Sequence, residues 1–225
     1  GEPEYKHVDF TDEDVSMTTF LIEQAQAKIQ GKVEEKLMVD QIDNVLRHSE
    51  SEANNAAATL EIIGVFMNKA KILIGADRCS LFLVDDIKGE LCTAYAAAHS
   101  ANTMTSDDEQ KSQEKEQKLV IRLPLGQGLV GAAADSGKDI LIPDCQVDPR
   151  FDKNSDKRNN YMTKTCLCVP IKNSVGQVLG VVQMLNKTDA DFKIVPFTEE
   201  DARKLRSIAS KATVAIEKAQ MFQKL

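Results

Sequence analysis

GQVLGVVQMLNKTDADFKIVPFTEED, residues 176–201, opens as an apolar strand, passes an Asn-Lys pair and a polar loop, and closes on a helix start. In the strand, the two-residue period puts Gln177, Leu179, Val181, Gln183 and Leu185 on one face and Val178, Val182 and Met184 on the other. Gln183 is therefore a lone amide among apolar neighbours, and a buried amide costs free energy unless something hydrogen-bonds it. After Asn186-Lys187, Phe197 follows ten residues on and Asp201 four beyond that. Thr198 is an N-cap residue for the final helix, with Asp201 in the third position after it. A Lys187–Asp201 ion pair across the loop is a compatible second role, tying the strand to that helix.

Thr165–Lys172 and Gln177–Lys187 read as a hairpin across Asn173–Gly176. Arg78–Asp85 (RCSLFLVD) is a strand that is apolar on both faces apart from Ser80, and Leu91–Ala98 returns beside it with Ala94, Ala96, Ala97 and Ala98. Leu119–Leu123 and Ile140–Ile142 are short strands, with a short helix opened by Gly126–Gly131 between them. His99–Lys118 and Asp144–Thr163 are long polar connections; the first reads as a surface loop, the second as a wall with helical turns starting at Asp148 and Asp156. Helices are expected over residues 11–30, 33–48 and 51–74 and from about 198 to the end. The division that follows is a helical connector over residues 1–52 and a domain over 53–225. The element order implies α+β: an antiparallel sheet of about six strands, terminal helices on one face and a ligand-covering helix and loop layer on the other.

In the final helix, Leu205, Ile208, Ala212, Ala215, Ala219 and Phe222 recur at heptad spacing. Either the stripe is a homodimer seam or it faces the domain's own sheet.

Composition narrows the function. Of 225 residues, 42% are hydrophobic, enough to bury a core; aromatics are 5% with no Trp, which argues against a base-stacking platform for single strands. A net charge of −7 with no basic block speaks against nucleic acid, and no apolar run has membrane-spanning length. The odd cysteine count, five, with most in apolar strands, points to reduced core thiols in a cytoplasmic setting. The chain starts at Gly1 without an initiator Met and reads as a fragment of something longer. His7, His48 and His99 have no metal-ligand spacing, so no metal site is expected.

The pattern Asn186-Lys187…Phe197-x-x-x-Asp201 resembles that of GAF domains in cyclic-nucleotide phosphodiesterases. Arg78-Cys-Ser80, Leu141-Ile-Pro-Asp144 and Cys168-Val-Pro-Ile-Lys172 extend the resemblance over about residues 53–225, toward the first (GAF-A) domain of protozoan, kinetoplastid-like class B enzymes. The family pattern ends Asp-Glu, whereas this chain has Asp201-Ala202.

The resemblance implies the GAF fold, no catalysis in this segment, an attached catalytic domain, and a cytoplasmic location, flagellar if the kinetoplastid likeness holds. It implies a ligand site of Ser80, Ala96, Ala97, Leu129, Val130, Asp152, Asp156, Asn159, Thr163 and Gln183, with Asn186, Lys187, Phe197 and Asp201 structural. Leu129 and Val130 would offer main chain beside the base, and Asp152 main chain near the phosphate. Asp156, Asn159 and Thr163 would line the ribose-phosphate side, with Ser80 and Gln183 under the base. An amide at position 183 matches adenine, which shows a donor beside an acceptor, whereas guanine's paired donors suit a carboxylate. The expected ligand is cyclic AMP, with no cofactor. Cyclic GMP and a dimerisation module without nucleotide are the alternatives. A thiol enzyme using Cys166 and Cys168 is disfavoured by their apolar strand.

Overall fold

The computed structural model describes residues 17–19, 21–22, 36, 40, 56–98, 121–211, 213–214 and 216–217. The chain divides into two compact units, residues 1–41 and 42–225. The described residues of the first unit are helical. The rest of the two helices expected before residue 51, the 99–118 connection, the three histidines, and Ala212, Ala215, Ala219 and Phe222 lie outside the described residues.

In the second unit the order is α1 (Ala56–Ile74), β1 (Ala76–Asp85), β2 (Glu90–Ala98), β3 (Arg122–Pro124), α2 (Gly128–Ser136), β4 (Ile140–Ile142), α3 (Lys153–Asn159), β5 (Cys166–Lys172), β6 (Val178–Thr188), β7 (Ile194–Val195) and α4 (Glu199–Lys211). The sheet runs β3-β2-β1-β6-β5-β4, with the two-residue β7 added to β6. Every pairing is antiparallel. This is the α+β sheet that the sequence implied.

Pleating separates two cores. On one face Cys79, Leu81 and Leu83 of β1 align with Met184 and Val182 of β6 and Leu167 and Val169 of β5, all buried. Ile63, Phe66, Met67, Ala70 and Ile74 of α1 and Leu205, Ile208 and Ala209 of α4 are buried with them, α1 lying on β1 and β2 and α4 on β5. Each fully buried Leu or Ile contributes about 2 kcal/mol through the apolar area it removes from water. At Leu205 and Ile208 the heptad stripe is therefore buried in the domain's own core. On the opposite face, Leu129, Val130, Ala133 and Ala134 of α2 pack on Phe82, Val84, Leu91, Cys166, Cys168 and Val181.

Two bulges interrupt strict alternation. Leu81 pairs with Tyr95 but Phe82 with Thr93, which leaves Ala94 as an extra residue in β2. Ile171 pairs with Gly180 but Lys172 with Val178, which leaves Leu179 extra in β6. The second bulge corrects the facing read from sequence: Val178 packs with Val181 and Leu185 against the α2 side, not with Val182 and Met184. Gly180 sits where β1 comes closest, since a Cβ there would lie 2.4 Å from the Phe82 carbonyl oxygen. β1 also begins two residues earlier than the expected Arg78, at Ala76.

Candidate functional site

Register assembles a row of side chains across the face that α2 partly covers: Ala96, Ser80, Gln183, Cys168 and Ile140 are successive cross-strand partners. Directly opposed residues point to the same side of an antiparallel sheet. Phe82 and Val181, in the neighbouring row, are buried beneath α2. Along the row exposure rises: Cys168 is buried, Gln183 and Ser80 are half-buried, and Ala96 is exposed. The two lone polar residues of the strands thus meet on a partly open strip. Ala97 pairs with Cys79, one position out of step with Ser80.

Gln183 Nε2 donates to Cys166 Sγ at 3.7 Å, and Cys166 Sγ lies 3.6 Å from Cys168 Sγ. All five cysteines are free and buried. Cys145 has its thiol pushed up, first by its hydrogen bond with Cys166 and then by burial. For Cys166 the bond with Cys145 acts downward, but the bond with Cys168 and burial outweigh it and hold the thiol well above its ordinary range. Burial does the same to Cys79. Cys79, Cys145 and Cys166 are thus protonated core thiols, poorly suited to nucleophilic work.

One wall is α2. Its N-cap, Gln127, supplies no side-chain hydrogen bond, so the first-turn N–H groups from Gly128 to Val130 lack that partner. The side chains of Leu129 and Val130 are buried in the core, leaving their main chain as the part available to a ligand. A Cβ on Gly131 would lie 3.0 Å from the Gly126 backbone, so this glycine serves tight turn packing.

The second wall carries α3. Sequence placed helical turns at Asp148 and Asp156; instead Asp148–Phe151 closes a single turn and one helix runs from Lys153 to Asn159. The boundaries are set by caps. Asp152 Oδ1 accepts from the Asn154 N–H at 2.9 Å, and Asn160 ends the helix in the left-handed region at φ 44°. The exposed Asp152 carboxylate also pairs with Arg158, and Asn159, exposed as well, donates to Ser155 Oγ. Asp156 lies inside the helix and accepts three hydrogen bonds: from the Thr163 hydroxyl at 2.7 Å, the Thr163 N–H at 2.8 Å and Gln146 Nε2 at 3.0 Å. Thr163 is buried. Its single hydroxyl hydrogen is committed to Asp156, so donation to a ligand oxygen requires that bond to open.

Asn186 fastens this wall to the sheet. Its Oδ1 accepts from the N–H groups of Lys164 (2.7 Å) and Thr165 (3.1 Å), while its Nδ2 donates to Tyr161 Oη and the Met162 carbonyl, both at 2.8 Å. Tyr161 in turn donates to Asp77 Oδ2 at 2.7 Å, and the Arg78 guanidinium lies 3.5 Å above its ring. Arg78 is two residues from Ser80 and shares its face of β1. Next in sequence, Lys187 Nζ reaches both oxygens of Asp201, at 2.7 and 2.6 Å. Asp201 also accepts from the N–H and hydroxyl of Thr198, while its own N–H donates to Thr198 Oγ1, which completes a capping box with aspartate at the third position. Burial raises the Asp201 carboxyl, but the Lys187 and Thr198 hydrogen bonds outweigh it, and the group ends below its ordinary range. Phe197 is buried beside this joint, and so is Ala202, where the family pattern carries Glu.

Sequence reasoning left four residues outside the site: Arg78, Tyr161, Gln146 and Cys166. Arg78 was visible as the charged residue two places before Ser80. Gln146 and Cys166 gave no separate signal, since their roles depend on neighbours brought together by the fold. No group of side chains suited to a metal ion occurs among the described residues, nor any helix long and apolar enough to cross a membrane.

A family model for the GAF domain matches residues 59–216. The chain is 36% identical over 153 residues to a dual 3',5'-cyclic-AMP and -GMP phosphodiesterase 11A of Takifugu rubripes, a match covering 67% of this chain and 16% of that protein. It is 33% identical over 165 residues to the dual 3',5'-cyclic-AMP and -GMP phosphodiesterase 11 of Drosophila melanogaster, covering 70% of this chain and 10% of that protein. Among solved structures, the GAF domain of a phosphoenolpyruvate-protein phosphotransferase from Coxiella burnetii superposes with a TM-score of 0.60 at 20% identity, covering 85% of this chain and 99% of that one. That likeness concerns the fold.

Proposed function

The chain belongs to the GAF domain family, and from that premise we propose that it is a non-catalytic regulatory domain that binds cyclic AMP and acts on a phosphodiesterase catalytic domain elsewhere in the parent protein. The observation that carries the reading is the row in which Ser80 and Gln183 face each other, half-buried, beside exposed Ala96. A flat base lying on that strip buries apolar area and meets one hydroxyl and one amide. No side-chain hydrogen bond of Ser80 is made to a described residue, so its hydroxyl is free to serve a ligand.

The surroundings favour an anionic partner. Arg78, held flat on Tyr161, places a cation on the same face as Ser80. The main chain of Leu129 and Val130 at the uncapped start of α2, and of Asp152 at the cap of α3, supplies N–H groups for the base and phosphate sides. Thr163 and Asn159 complete the ribose-phosphate side, with Asp156 as the brace that positions Thr163. Ala97 belongs to the strand that frames the floor. Asn186, Lys187, Phe197 and Asp201 hold the walls and take no part in contact.

Closure of the 144–163 wall over the nucleotide shifts the terminal helices, which bias the attached domain if the ligand favours one of two states. A homodimer through those helices, a cytoplasmic location and a kinetoplastid-type parent belong to the same proposal; the last rests on the motifs quoted above. Cyclic GMP is the second reading, because the relatives that cover this segment are named for both nucleotides.

Gln183→Glu distinguishes them. A carboxylate at this position accepts from guanine's two donors and repels adenine's ring nitrogen. The ratio of cyclic AMP to cyclic GMP affinity is expected to fall about ten-fold, the equivalent of roughly one charge-assisted hydrogen bond. An unchanged ratio in calorimetric titration contradicts the base assignment.

A further inference from the structure

We propose that Cys166 is a positioning residue for base recognition: its thiol takes one Nε2 hydrogen of Gln183 and so fixes Oε1 toward the base. The inference rests on the nucleotide reading above and deepens it. Gln183 Nε2 donates to Cys166 Sγ at 3.7 Å. Among the described residues nothing bonds Oε1, so the amide presents its acceptor to the open strip.

The sulfur is well placed to impose this choice. Cys166 is fully buried in β5, one row along from Gln183, and its Sγ is 3.6 Å from Cys168 Sγ. A thiol is a weak donor and a weak acceptor. When Cys166 gives its hydrogen to Cys168, its sulfur meets Gln183 as an acceptor, and the amide turns its NH₂ downward. A flipped amide would face a lone pair with a carbonyl.

An exposed carbonyl oxygen reads donors. Adenine offers its exocyclic amine to it, and the Nε2 hydrogen not given to Cys166 is left for the adjacent ring nitrogen. Guanine's N7 and O6 edge offers acceptors only, so guanine must turn its other edge to the strip. Base choice at Gln183 is thus set one side chain deeper, in a group that touches no ligand.

Calorimetric titration with cyclic AMP and cyclic GMP of the unaltered chain and of Cys166→Ala and Cys166→Ser tests the assignment. In Cys166→Ala the amide is free to flip, and the affinity ratio of cyclic AMP over cyclic GMP is expected to fall about five-fold, the size of one neutral hydrogen bond. Cys166→Ser keeps an acceptor and is expected to stay within about two-fold of the unaltered ratio. Binding by Cys166→Ala at an unchanged ratio overturns the inference and leaves the nucleotide reading standing. A folded, unaltered chain that binds neither nucleotide overturns both.

Should Cys166→Ala fail to fold, Cys166→Val fills the space, with about one methyl group to spare, without the acceptor and carries the same expectation. A nucleotide-free readout runs in parallel. The side-chain amide ¹⁵N signal of Gln183 is expected to move in Cys166→Ala or Cys166→Val and to be retained in Cys166→Ser. A signal unmoved by loss of the thiol overturns the inference.

Discussion

Asn186→Ala is expected to lower the unfolding free energy by about 3–5 kcal/mol, the range of a buried network broken at its centre. Asn186 is 3% exposed and sits in the left-handed region at φ 52°. Its amide satisfies the N–H groups of Lys164 and Thr165, the Met162 carbonyl and the Tyr161 hydroxyl. Alanine leaves these groups without their partner and is itself strained at positive φ. Asn186→Gly separates the two effects, because glycine removes the strain and restores none of the bonds. Asn186→Asp keeps the acceptor for the two N–H groups and loses both donors, so it falls between. Urea denaturation measures all three; an alanine variant within about 1 kcal/mol of the unaltered chain contradicts this role.

The second large effect is expected at the joint between β6 and α4. Asp201→Ala removes the Lys187 pair and half of the capping box together, for a loss of about 2–4 kcal/mol. The pair is well shielded, with side-chain exposures of 23% for Lys187 and 9% for Asp201, so it is weakened by salt less than a surface pair. The folded carboxyl titrates below its ordinary value of 3.8. A depressed carboxylate contributes its full stabilisation above the unfolded value and loses it as pH falls through the folded one. The gap between the unaltered chain and Asp201→Asn should therefore be constant near neutrality and shrink only below about pH 4. A gap that is constant down to acid unfolding contradicts the assignment.

The sheet and the closing helix were legible because their signals are local. β6 alternates over most of its length, and Thr198 and Asp201 stand at capping distance. The bulge at Leu179 was not legible, because one extra residue changes facing without changing composition; only the partner strand reveals it. α3 was misplaced for a similar reason. Asp148, Asp152 and Asp156 are each plausible helix starts, and the choice falls on Asp152 through a bond to Asn154 that the sequence does not single out.

The candidate site divides in the same way. Ser80 and Gln183 were each visible as a polar residue in an apolar strand. Their direct opposition follows from register, as does the pairing of Ala97 with Cys79 instead of Ser80. Thr163 and Asp156 were both named from the family resemblance, and the structure joins them in one hydrogen-bonded unit. The stacking of Arg78 on Tyr161 crosses 83 positions of chain and has no local trace.

Calorimetric titration of the purified chain with cyclic AMP and with cyclic GMP decides whether the strip over Ser80 and Gln183 holds a nucleotide. Saturable heat is expected with both or with cyclic AMP alone, tighter for cyclic AMP, and lost or weakened when Ser80 is replaced by a bulkier valine that occupies the strip. Folded protein that gives no heat with either nucleotide contradicts nucleotide binding there.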